Sequence, residues 1–177
     1  MIRIGVGQDI HRLVLGRRFL LGGVQLPAEK GEAGHSDGDA LAHAVIDALL
    51  GAAALGDIGG LFPPSDPALK DADSMALLRS ALCLVQRAGW RLHNLDCVVC
   101  CESPKLLPFR DAIRASLAEA LEVPAERVFV KGKTAEGLGP VGEGRAVQAL
   151  AVCLLERGDS PAGREGKEAQ HEAENRD

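Results

Sequence analysis

The sequence predicts a single α/β domain, and three observations carry that prediction. Short segments of strand character (residues 2–10, 91–101 and 127–133) are interleaved with longer segments of helical composition or periodicity (37–56, 73–88 and 108–121), the pattern of a sheet with helices packed on it. The 177 residues are 46% apolar, enough for one core that buries about two-thirds of the unfolded surface. No period of about 20 to 50 residues repeats, which argues against a solenoid.

Taken in order, residues 2–10 alternate as a strand with Gly5 and Gly7 inside it, and FLLGGVQL (19–26) reads as a tight hairpin around Gly22 and Gly23. DGDALAHAVIDALLGAAALG is rich in helix formers, has Ser36 or Asp37 available as N-cap, and ends at Gly56. DIGGLFPPSDP (57–67) holds two glycines and three prolines, so it cannot continue the helix and is expected to be a loop long enough to cover a site. In 73–88, Met75, Leu78, Leu82 and Val85 recur at helical spacing as a packing stripe, and Gly89 stops the helix. RAVQALAVCLLE (145–156) suits helix or strand by propensity and is assigned to a strand, because the sheet otherwise lacks members. The domain is expected to span 1–157. The last 20 residues (158–177) carry six acids, three bases and no apolar residue larger than Ala, and read as a disordered polar tail.

A net charge of −5 without a concentrated basic surface argues against a bulk nucleic-acid binder. No apolar run approaches the roughly 20 residues that span a bilayer, so no membrane partner is expected. The opening MIRIGVGQDI lacks the features of a secretory leader, and a cytoplasmic setting is expected. The five cysteines (Cys83, Cys97, Cys100, Cys101, Cys153) are odd in number and sit in apolar contexts, which suits buried free thiols. Cys97 and Cys100 spell C-x-x-C, but within a strand-like run rather than the turn or helix start that a zinc or redox site needs. GLGPVG (137–142) spells G-x-G-x-x-G with Pro140 inside it, and the chain ends too soon for the strand that would carry an acidic ribose ligand.

Asp9 and His11 form D-x-H on a predicted strand, where period-two geometry sends both side chains to one face. His43 lies in the following helix with Asp39 one turn before and Asp47 one turn after, each placed to accept its second ring N–H. Asp9, His11 and His43 together would give one oxygen and two nitrogen ligands. That set leaves a tetrahedral zinc with an open position, and it fits a two-His, one-carboxylate iron site equally well. ESPKLLP (102–108) and KGKTAEGLG (131–139) are polar islands at strand ends. Their Lys105, Lys131 and Lys133 offer cations for phosphates, Thr134 a hydroxyl, and Glu136 a carboxylate for a hard divalent ion.

With D-x-H, GHSDGDALAHAVIDALLGAAALGDIGGLFPPSDP, ESPKLLP and KGKTAEGLG in this order, the chain resembles the 2-C-methyl-D-erythritol 2,4-cyclodiphosphate synthases of the non-mevalonate isoprenoid pathway, over residues 1–157. The resemblance implies an α/β sandwich with a mixed sheet, helices packed on one face and a small β-hairpin, assembled as a homotrimer with active sites at subunit boundaries. It implies zinc on Asp9, His11 and His43, and a second ion, magnesium or manganese, on Glu136. It further implies that His35 and Thr134 stabilise the transition state. Asp9, His11, His35, Ser36, Asp57, Ile58, Gly59, Phe62, Pro63, Pro64, Ser65 and Asp66 would contact the methylerythritol phosphate portion. Cys101, Glu102, Ser103, Pro104, Lys105, Gly132, Lys133 and Thr134 would hold the cytidine and its phosphates, largely for a neighbouring subunit.

The implied reaction is intramolecular. The 2-phosphate of 4-diphosphocytidyl-2-C-methyl-D-erythritol 2-phosphate attacks the β-phosphorus, CMP leaves, and the cyclic 2,4-diphosphate remains. Such a step asks the protein for in-line positioning and charge neutralisation rather than covalent chemistry. Many family members carry an aromatic residue and then an arginine after the position of Gly139, lining a cavity on the trimer axis, where this chain has Pro140 and Glu143, with Arg145 two residues later. Two other readings fit the residues: a zinc phosphoesterase acting on a nucleotide diphosphate, and a trimeric nucleotide-binding module with structural zinc, for which no fourth ligand stands at suitable spacing.

Overall fold

The computed structural model describes residues 1–63 and 65–157; the tail at 158–177 and Pro64 lie outside the described residues. Strand β1 (Ile2–Leu15) is followed by β2 (Phe19–Leu21) and β3 (Val24–Leu26), which form the predicted hairpin as a two-stranded sheet turning at Gly22 and Gly23. Next come β4 (Lys30–Ala33), α1 (Ala40–Ala53), α2 (Ile58–Leu61) and α3 (Ser74–Arg87). Strand β5 (Trp90–Cys100), α4 (Arg110–Ala120), β6 (Val128–Lys133), α5 (Gly139–Gly142) and β7 (Ala146–Arg157) complete the chain.

The main sheet has the order β4-β1-β7-β5-β6. β5 and β6 pair in parallel across the α4 crossover and the other pairs are antiparallel, so the sheet is mixed. The segment that was ambiguous by propensity is β7, the central strand. Its Ala149, Ala151, Cys153 and Leu155 are buried and alternate with more exposed residues, the period of two that a helix cannot satisfy.

Helix α1 lies directly on β1 because β1 presents glycine there. A methyl group at Gly5 would run into the Ala48 carbonyl, and one at Gly7 into the Ala44 carbonyl, with the Ala48 nitrogen 2.6 Å away. The same face of β1 continues to Asp9 and His11. The opposite face carries Ile2, Ile4, Val6 and Ile10, between 51% and 72% exposed, beside the half-exposed Leu150 and Val152 of β7. One face of the sheet is therefore packed by helices and the other, among the described residues, is apolar and exposed.

Four local expectations change. The α1 N-cap is Asp39 rather than Ser36 or Asp37, its carboxylate accepting from the Ala42 N–H. The 57–67 segment contains a helical turn, α2, capped by Asp57 on the Gly60 N–H, where the two glycines and three prolines had suggested loop throughout. The sequence reading had no strand at 30–33, where β4 extends the sheet edge. Cys97, Cys101 and Cys153 are buried free thiols as expected, but Cys100 is only half-buried and Cys83 is exposed on α3. Burial pushes the Cys97 thiol up to about 12 and the Cys153 thiol to about 11, so both stay protonated at neutral pH.

Candidate active site

The glycine contact sets the height of α1 over β1, and the first turns of α1 then bring His43 over Asp9 and His11. Asp9 Oδ2 lies 2.9 Å from His11 Nε2 and 3.0 Å from His43 Nδ1, and the three ligand atoms lie within 4.8 Å of one another. The two imidazoles meet edge to face, with centroids 5.1 Å apart and planes at 70°. Tetrahedral zinc with bonds of about 2.0 to 2.1 Å puts its ligand atoms roughly 3.3 Å apart, so the trio closes on an ion with little movement.

The hydrogen bonds fix which nitrogen of each ring faces the ion. The Gly38 carbonyl, 2.5 Å from His11 Nδ1, can only accept, so Nδ1 carries the proton and Nε2 turns its lone pair towards Asp9. Around His43 the logic runs through a serine. The Ser74 hydroxyl donates to Asp37 Oδ1 at 2.5 Å, so its oxygen accepts from His43 Nε2–H at 2.9 Å, with Ser36 Oγ also 3.0 Å from Nε2. His43 Nδ1 is then left as a lone-pair donor. Two imidazole lone pairs and a carboxylate oxygen facing one point repel unless a cation sits among them, so the donor set fits a divalent metal ion.

A proton takes that role in the metal-free protein. Burial opposes a charge on His11, but hydrogen bonds to Asp9 and Glu32 outweigh it and raise the pKa to about 10. Burial likewise opposes the Asp9 carboxylate, yet the two histidines hold its pKa well below the usual range. Glu32, fully buried, is pushed up to about 8, mainly by burial. Both His11, raised from 6.5, and Glu32, raised from 4.5, keep protons in the folded state that the unfolded chain has released. Stability of the metal-free protein therefore falls as pH rises from about 5 towards 10. Melting curves with a chelator should show Tm dropping from pH 6 to pH 9, with zinc flattening the drop; a chelated protein equally stable at both pH values would contradict this ionisation pattern.

The expected neighbours of His43 are not those the helical spacing suggested. Asp39 spends its carboxylate on the N–H groups of Gly22, Gly23 and Ala42, pinning the hairpin turn to the start of α1. Asp47 accepts from the Ile58 N–H and so ties α2 to α1. Neither touches the His43 ring, whose partners are Asp9 at Nδ1 and Ser36 and Ser74 at Nε2. Backbone N–H groups at helix starts lack intrahelical partners, and these two acids satisfy them instead. Ser74 and Asp37 were missed because Ser74 stands 31 residues from His43 with no local motif to connect them.

Beside the trio lies a cavity of about 260 Å³ lined by His11, His35, Ser36, His43, Ile58, Gly59, Phe62, Leu69 and Leu77. Of the residues expected around the sugar phosphate, Asp9, Asp57, Pro63, Ser65 and Asp66 are outside this lining. His35 Nε2 donates to the Asp66 carbonyl at 3.3 Å, linking the two segments. A second cavity, about 360 Å³, lies between the end of β6 and α4. It gathers Cys101, Pro104, Lys105, Gly132, Lys133 and Thr134 as the sequence suggested, together with Arg110 and Lys131. Four cations and no acid line it, which suits phosphate. Glu102 faces away, accepting from the Ala135 N–H, and Ser103 is not in the lining. Thr134 Oγ1 donates to Glu136 Oε1 at 2.7 Å, and Arg145 is paired with Glu143.

The two cavities are well separated within one chain. His11 lies opposite Val147 on β7, its neighbour Gln148 opposite Cys100 on β5, and Cys100 opposite Lys133 on β6. Three strand spacings, roughly 14 Å, lie between His11 and Lys133.

An open three-ligand metal site beside one cavity and a cation-lined cavity at the far side of the same sheet define a metal-dependent enzyme acting on a phosphorylated substrate. Residues 2–156 match the model of the YgbB family, and the chain belongs to that family. Among its relatives, 2-C-methyl-D-erythritol 2,4-cyclodiphosphate synthase of Treponema denticola is 53% identical over 154 residues, covering 87% of this chain and 96% of that one. The protein of the same name from Gloeobacter violaceus is 58% identical over 155 residues, covering 88% and 95%. A solved structure of 2C-methyl-D-erythritol-2,4-cyclodiphosphate synthase in a CDP-bound form superposes with a TM-score of 0.80 at 44% identity, over 87% of this chain and all of that one. The bifunctional IspDF of Campylobacter jejuni gives a TM-score of 0.87 at 42% identity, over 90% of this chain, which spans 43% of that longer protein.

Proposed function

We infer that the chain is a cyclising phosphorus–oxygen lyase. It converts 4-diphosphocytidyl-2-C-methyl-D-erythritol 2-phosphate to 2-C-methyl-D-erythritol 2,4-cyclodiphosphate with release of CMP, in isoprenoid precursor biosynthesis. The observation that carries the reading is the near full-length match, at 53% to 58% identity, to relatives that bear the synthase's name. A divalent ion on Asp9, His11 and His43, for which zinc is the proposal, supplies Lewis-acid polarisation of a phosphate oxygen.

The chain's own residues do the rest. Lys105 and Lys133 neutralise the nucleotide's phosphates, and the walls around Cys101 and Gly132 receive the cytidine. Ile58, Gly59 and Phe62 close over the methylerythritol phosphate, keeping water from competing with the internal nucleophile. His35 and Thr134 donate hydrogen bonds to oxygens that gain charge as the phosphoryl group moves. Glu136, held by Thr134, is proposed to carry a second divalent ion, magnesium or manganese, against the diphosphate. All of these roles are assigned to residues 1–157.

Ions that act on one diphosphate must lie within a few ångströms of each other, and Glu136 follows β6, three strands from β1. The proposed solution is a homotrimer in which the cation-lined cavity of one chain meets the metal site of the next. The bare apolar face of β1 and β7 supports such an assembly. The free thiols of the core support a reducing, cytoplasmic setting. No helix among the described residues is long and apolar enough to cross a membrane.

The test is phosphorus NMR of the purified protein with the substrate in heavy-oxygen water, the sample sized by light scattering. Three chains per particle, a cyclic diphosphate free of label, and loss of turnover on chelation are expected. A labelled acyclic 2,4-bisphosphate would make the protein a phosphoesterase instead. Turnover by single chains would remove the shared site.

A further inference from the structure

Glu32 is a fully buried carboxyl group on β4, the edge strand of the main sheet. Its Oε2 accepts from the Ala40 N–H at 2.8 Å and lies 3.2 Å from His11 Nδ1, while its Oε1 has no hydrogen-bond partner among the described residues. Arg17 donates to the Glu32 backbone carbonyl and not to its side chain. A second acid, Asp39, is buried close by on the same helix start. A carboxylate left in the interior with one oxygen unsatisfied and like charge nearby is costly, so a compensating feature is called for. The polar groups on its oxygens are the α1 amide and the ring of His11.

We propose that Glu32 is a positioning residue for the metal site. Its carboxylate joins the Gly38 carbonyl as an acceptor for His11 Nδ1–H, locking the ring with Nε2 towards Asp9 and making that nitrogen a stronger donor. This rests on reading Asp9, His11 and His43 as metal ligands. Glu32 stands behind the ring with Oε2 on the His11 nitrogen that faces away from the ion, the arrangement by which a carboxylate raises the basicity of a metal-bound imidazole. The close approach is possible because Gly38, with φ at +90°, has no Cβ; a methyl there would sit 2.7 Å from the Glu32 carbonyl oxygen. The alternative is that Glu32 serves only as an accessory cap for Ala40.

Glu32→Gln separates the two. It keeps an oxygen where Oε2 stands, and with it the cap, but cannot become the carboxylate that Nδ1–H favours once a cation sits on Nε2; Glu32→Leu removes both. Zinc dissociation constants are measured by chelator competition on the folded proteins, beside melting curves of their metal-free forms. The expected result is about tenfold weaker zinc binding in Glu32→Gln at nearly unchanged metal-free Tm, and up to about 100-fold in Glu32→Leu. Zinc affinity within twofold of the parent in Glu32→Gln overturns the proposal, whether or not Glu32→Leu folds. A parent that binds no zinc, or a His43→Ala variant that binds it as tightly, would bring down the ligand assignment itself.

Discussion

His43→Ala should lose zinc and cut turnover by roughly 10³-fold or more, while the circular dichroism spectrum stays that of the parent. Removing one of three ligands strips the site of its ion at ordinary metal concentrations, and with it several kcal/mol of transition-state charge stabilisation. The fold should survive, because α1 is held on β1 by the glycine contact and by the buried Leu41, Val45, Leu49 and Leu50 rather than by the His43 ring. Metal content by atomic emission, read alongside the phosphorus NMR assay, decides the matter. Full turnover in a variant without bound metal would show that the trio is not the catalytic centre.

Gly7→Ala is a single methyl with a large expected structural cost. The group would be driven into the backbone of α1 at Ala44 and Ala48, which cannot yield as a flexible side chain can. Strand and helix would have to part, at about 3 kcal/mol or more, the upper end of what overpacking costs. Gly51→Ala is the internal contrast. It adds a methyl to α1 itself, where nothing lies within 4 Å, and should stabilise by roughly 0.5 to 1 kcal/mol. Urea unfolding of the three proteins checks both signs. If Gly7→Ala matched the parent, the account of how α1 is seated would be wrong.

Much of this architecture was legible because local chemistry and global fold agree. The hairpin at Gly22–Gly23, the α3 stripe and the alternation in β5 and β6 were each readable from a dozen residues or fewer. So was the metal trio, since D-x-H on a strand needs only one further ligand from the next helix. What failed to read out depends on competition or distance. Asp39 and Asp47 stand one turn either side of His43, as a supporting carboxylate should, but helix-start N–H groups claim both. Ser74 reaches His43 from another helix. Glu32 carries no local sign of burial, and only the closure of β4 onto β1 buries it.

The separation of the two cavities has a genetic reading. In the proposed trimer each site draws on two chains, so a chain with a ruined metal half still owns an intact nucleotide half. Two defective alleles, one altered at His43 and one at Lys133, would assemble some particles in which the sound halves meet. Neither allele alone could form one intact centre, yet a cell carrying both would keep part of its activity. A gene of this design can therefore show complementation between its own mutants, a behaviour that a site contained in a single chain does not allow.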